Sequence, residues 1–145
     1  MLHEINPKKI FDENKREYAQ REDYSFKNYL EDLKPKGYIG PRKEEKLRLK
    51  AYALAHIDML KNTMLDTCRD MADLGIPQAY KLFKKQLSDL EKTKEHALNG
   101  YLKGDITRRI LWHEIGDIWG HANTDVEKLP MITVGIPEEE IAKAA

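Results

Sequence analysis

Residues 41 to 75, PRKEEKLRLKAYALAHIDMLKNTMLDTCRDMADLG, decide the fold. Leu47, Leu54, Ile57, Leu60, Met64, Cys68 and Met71 recur through this stretch at three- and four-residue steps, which on a helix lines them up along one stripe. Pro41 suits a first helical turn, where its missing N–H is no loss, and Gly75 is placed to end the helix in a left-handed conformation. The spacing predicts one long helix from Pro41 to Leu74.

Beyond it, GIPQAY (75–80) turns the chain, with Pro77 again at a helix start. Ile76, Phe83, Leu90 and Ala97 are spaced at heptad intervals, and Tyr80, Leu87 and Tyr101 form a second row beside them. The two rows read as a coiled-coil-like seam on a second helix ending near Leu98. So short a break makes the two helices an antiparallel hairpin, with Phe83, Leu87 and Leu90 against Ile57, Leu60 and Met64. NGYLKGD (99–105) supplies the next break, and Asp105 is placed as N-cap of a third helix from Ile106 to about His121.

The two ends read as arms flanking a three-helix body of residues 41–122. Residues 1–40 predict a helix from about Pro7 to Gln20 and a shorter one near Ser25 to Leu33. KPKGYIGP (34–41) closes the arm, because its prolines and glycines forbid regular structure. Residues 123–145 carry one short β-like run between prolines and an acidic start to a final helical turn. Neither end holds a core of its own, so each is expected to lie on the body or on another chain. The expected fold is all-α: an antiparallel hairpin plus a third helix, with irregular terminal arms.

Composition narrows the function classes. Twenty-five Lys plus Arg balance twenty-five Asp plus Glu, so no global field draws the chain to nucleic acid or to an anionic membrane. No run approaches the roughly 18 to 20 apolar residues of a membrane span. Cys68 is the single cysteine and lies on an apolar stripe, where an inert core thiol and a cytosolic setting are expected. Phosphate-cradling glycine loops, GxSxG and paired cysteines are all missing from the sequence.

One stretch suggests chemistry. In LWHEIGDIWGH (111–121), His113, Asp117 and His121 recur every fourth residue, opposite a face formed by Leu111, Trp112, Ile115, Ile118, Trp119 and Ala122. Imidazole and carboxylate one turn apart suit zinc, iron or manganese. The match to HExxH nevertheless fails, because Asp117 stands where the second histidine belongs. The preceding hairpin offers Glu44, Glu45, His56, Asp58, Asp66, Asp70 and Asp73, but no ExxH pair to complete a carboxylate bundle. Gly116 and Gly120 give the helix another use. Each costs about 1 kcal/mol of helix stability relative to Ala, which a close backbone approach would offset.

These features favour a non-enzymatic structural or assembly protein that acts through protein partners or self-association, with Trp112, Gly116, Trp119 and Gly120 at the interface. Catalytic residues, cofactors and a small-molecule substrate are not assigned. The expected location is the cytoplasm, or a virion or phage particle if the chain is viral. The first alternative is a helical metal-binding protein or metalloenzyme using His113, Asp117 and His121. The second is a small nucleic-acid packaging or regulatory adaptor, which the alternation of basic and acidic groups disfavours.

Overall fold

A computed structural model describes residues 2–76, 81–100, 108–129 and 132–135. The described chain is all-α apart from one pair of short strands. Strand β1 (Leu2–Ile5) leads into helix α1 (Pro7–Leu33), followed by α2 (Pro41–Asp73), α3 (Lys84–Glu95) with a π-helical turn at His96–Gly100, α4 (Arg108–Glu127) and strand β2 (Ile132–Gly135). The strands pair antiparallel, from Leu2 opposite Gly135 to Ile5 opposite Ile132, and so join the two ends of the fold. The β-like run in the C-terminal segment is β2; its partner β1 carried no alternating pattern to mark it.

Local chemistry sets the helix ends. Asn6 caps α1 by accepting from the Lys8 N–H at 3.1 Å, with Pro7 in the first turn. At the far end of α2, Gly75 has φ 92°, and the amides of Gly75 and Ile76 donate to the carbonyls of Ala72 and Met71. This pair of bonds closes the helix in a Schellman motif, which needs the left-handed residue that glycine supplies without strain.

Each helix runs against the one before it. Along α1 and α2, Asn14 meets Thr67 and Asp70, Tyr18 meets Asp66, and Tyr29 meets Asp58. Lys61 with Glu91, and Lys50 with the Leu98 carbonyl, set α3 antiparallel to α2. Gln86 with Asp125, and His96 with Glu114, set α4 antiparallel to α3. Phe83, Leu90, Ile57, Leu60 and Met64 share one core with Leu111, Ile115 and Ile118, and Leu87 packs at its edge.

Three boundaries differ from the sequence expectation. The N-terminal segment holds one helix of 27 residues in place of two short ones, and it enters the core, where Phe11 is fully buried and Phe26 nearly so. Its polar middle continues as helix because α2 lies alongside: Tyr18, Glu22, Phe26 and Tyr29 all find partners there. α4 runs past His121 to Glu127 because its buried row continues through Ala122 and Val126. The described α3 begins only at Lys84, after a turn that buries Phe83. The expected start at Pro77, the row positions Tyr80 and Tyr101, the Asp105 cap and the final helical turn lie outside the described residues.

Two predictions follow from this packing. The Phe11 and Phe83 rings touch at a centroid distance of 5.8 Å across the core. Phe11→Ala and Phe83→Ala are each expected to cost about 3 kcal/mol or more in urea unfolding. The double variant should lose less than the sum, because the second truncation enters an existing cavity. Either single change falling within about 0.5 kcal/mol of wild type would contradict this core. The second prediction concerns alkaline stability. The Tyr18 hydroxyl donates to the Asp66 carboxylate, and that bond with burial pushes the phenol up to about 12. The folded chain keeps a proton that the unfolded chain releases from about pH 10 upward, so this stabilisation is complete below pH 10 and is lost as pH rises through 12. Unfolding at about pH 9 and about pH 11 should therefore show a smaller loss of stability in Tyr18→Phe than in wild type.

Candidate functional site

Helix α4 divides into sectors around its axis. Leu111, Ile115, Ile118, Ala122 and Val126 are buried in the main core, with Trp112 and Trp119 half-buried along one border of that stripe. Gly116 and Gly120 come next, followed by His113, Asp117 and His121, all exposed. The four residues expected at an interface thus form a contiguous strip of two indole edges and two bare backbone positions. Among the described residues nothing lies within 4 Å of where a Cβ would stand on either glycine. Among the described residues no close approach offsets their cost.

The indoles converge on a histidine. Trp119 Nε1–H donates to His56 Nε2 at 2.9 Å, and His56 Nδ1 meets Glu22 Oε1 at 2.6 Å. Trp112 stands edge-on to the same imidazole at 5.3 Å, and Phe11 edge-on to Trp119 at 6.0 Å. An indole nitrogen only donates, so Nε2 is the acceptor and the ring proton lies on Nδ1, given to Glu22. Helices α1, α2 and α4 meet on one neutral imidazole. With both ring nitrogens engaged, His56 has no lone pair left for a metal or a substrate; it positions helices.

The metal candidates remain on the outer face. His113 Nε2 lies 3.5 Å from Asp117 Oδ2, with the two side chains 77% and 62% exposed. Asp117 and His121 line a groove of about 330 Å³ against α3, together with Glu114, His96, Lys85 and Lys92. Within it His96 Nδ1 is 3.1 Å from Glu114 Oε2. Among the described residues no group of three or more His, Cys, Asp or Glu side chains is placed to hold a metal ion. His113, Asp117 and His121 share a helix face without converging on a point.

One buried and one half-buried polar group on α2, Lys50 and His56, were given no structural role by the sequence reading. His56 lies between Ala53 and Leu60 in the three- and four-residue rhythm of α2, and Lys50 lies in the same way between Leu47 and Leu54. The rhythm that marks a core stripe was the available signal for both. The ammonium of Lys50, 5% exposed, donates to the Leu98 carbonyl at 3.1 Å, and burial lowers its pKa. Cys68 is buried, and that burial pushes its thiol up to about 11, so it carries almost no thiolate near neutral pH. No described helix is long and apolar enough to cross a membrane.

No family model, curated protein or solved structure matches this chain.

The exposure of His113 and Asp117 sets an expectation for the outer face. His113→Ala should shift stability by less than about 0.5 kcal/mol, as surface substitutions do, and a chelator should leave the thermal melt of wild type unchanged. A melt lowered by chelator in wild type but not in His113→Ala would restore the metal-binding reading.

Proposed function

We propose that this chain is a non-enzymatic structural or assembly protein whose α4 docks against a protein partner, a second copy of the chain included. The strip of Gly116 and Gly120, bordered by the edges of Trp112 and Trp119, carries the reading. Two glycines in one helix cost about 2 kcal/mol together relative to Ala. Nothing described within the chain uses the space they open. A helix or strand from another chain laid across this strip would, because a bare backbone lets it approach and the indole edges supply the contact area. Engagement of both His56 nitrogens supports a non-enzymatic role, as does a thiol held in its unreactive form.

The test compares native mass with fold stability. Because no described residue fills the space beside Gly120, Gly120→Ala should stabilise the isolated fold by up to about 1 kcal/mol. Gly120→Leu should leave the far-ultraviolet circular dichroism intact while fouling the docking face. Light scattering coupled to size exclusion should then give a larger native mass for wild type than for Gly120→Leu. Equal masses for wild type and the variant at all accessible concentrations would remove self-association through α4.

A further inference from the structure

The Glu22, His56 and Trp119 chain is more than a hydrogen-bond network, because its two ends make opposite demands on the imidazole. Trp119 needs Nε2 bare, since an indole N–H can only donate. Glu22, a carboxylate at 2.6 Å from Nδ1, favours a charged ring. The side chains of His56 and Glu22 are 22% and 30% exposed, enough for a solvent proton to reach the ring.

The charges around the ring are few. On α1, Glu22 is the near anion, and the ammonium of Lys15 lies over the Trp119 ring at 4.8 Å, opposing a second positive charge. On α2, the residues one turn either side of His56 are Tyr52, Ala53, Met59 and Leu60, none charged at neutral pH. α4 presents the rings of Trp112 and Trp119. The state of Nε2 is therefore decided by one carboxylate, one indole, the nearby Lys15 ammonium and the pH.

We propose that His56 is a proton-operated latch that holds Trp119, and with it the outer border of α4, against the α1–α2 pair. At neutral Nε2 the indole bond is closed. When Nε2 takes a proton, two N–H groups face each other and the bond opens, while the Nδ1 bond to Glu22 becomes an ion pair and keeps the imidazole in place. Trp119 is the partner free to leave. It borders Gly116 and Gly120, where nothing described lies within 4 Å of either Cβ position. Acidification would thus add an exposed aromatic to the glycine strip without unfolding the core that Leu111, Ile115, Ile118 and Val126 build. The latch operates whether or not α4 docks a partner.

The chain has two tryptophans, so its indole N–H region in a proton–nitrogen correlation spectrum holds two signals, which Trp112→Phe assigns. In the full-length wild type the Trp119 signal should move between about pH 8 and pH 5, the window in which histidine changes charge, while circular dichroism stays constant. In His56→Gln the amide oxygen accepts the indole bond without titrating, and the signal should stay still. In Glu22→Gln the anion that favours the charged ring is gone, and the change should shift to lower pH. A wild-type Trp119 signal that is constant across the window overturns the latch. Identical movement in His56→Gln does so too, as does movement only alongside unfolding. Should His56→Gln fail to fold, Glu22→Gln decides alone: no displacement, or displacement to higher pH, overturns the proposal.

Discussion

The fold depends on α2 being buried on two faces at once. One face is apolar: Leu54, Ile57, Leu60, Met64 and Cys68 look into the core shared with α3 and α4. The other is made of small and polar side chains, Ala51, Ala55, His56, Thr67 and Asp70, and α1 lies on it. A helix this long can be covered twice only if its second face pairs its own polar groups. Thr63 and Thr67 do so by donating back to the carbonyls of Met59 and Thr63, and the α1 side chains satisfy the rest.

That second face fixes how α1 is placed. Apolar rows alone tolerate sliding by a helical turn, because one methyl group packs much like another. The contacts between α1 and α2 do not. A shift of one turn would part Tyr18 from Asp66, Tyr29 from Asp58 and Asn14 from both Thr67 and Asp70. Each lost pair would leave a half-buried hydroxyl, amide or carboxylate short of a partner, at a cost of about 1 to 3 kcal/mol apiece. Surface ion pairs such as Arg21 with Glu17 and Lys27 with Asp23, both largely exposed, contribute little to that choice.

The same division explains what was legible in the sequence. The bounds of α2 came out to within a residue, since Pro41, Gly75 and the stripe between them each act locally. The antiparallel placement of α3 followed from the expected break after Gly75 and from Phe83 and Leu90. α1 was undervalued because its partner face on α2 carries threonine, alanine, histidine and aspartate, which register as polar although Thr63 and Thr67 are wholly buried. A periodicity argument weighs hydrophobicity and does not see hydrogen bonds made between elements 30 to 60 residues apart. At the candidate site the sector assignment of α4 was readable, since spacing alone sets it. Whether another chain segment fills the glycine space, and which residue the indoles seek, depends on tertiary placement that no local pattern encodes.

The two polar groups held at the borders of α2 show how burial assigns roles. Lys50 and His56 are less than two turns apart on one helix and both donate or accept within the bundle, yet they differ in what a proton does to them. Lys50 donates to the carbonyl of Leu98 in the π-helical turn that ends α3, where the negative end of the helix welcomes a cation. Burial makes losing that proton easier than for a solvated lysine, though the neutral amine would still have N–H groups to donate. His56 is opposite in sign: gaining a proton breaks its bond to α4. The chain thus adds to the α2–α3 contact through a lysine that donates, and holds Trp119 on α2 through an imidazole that accepts.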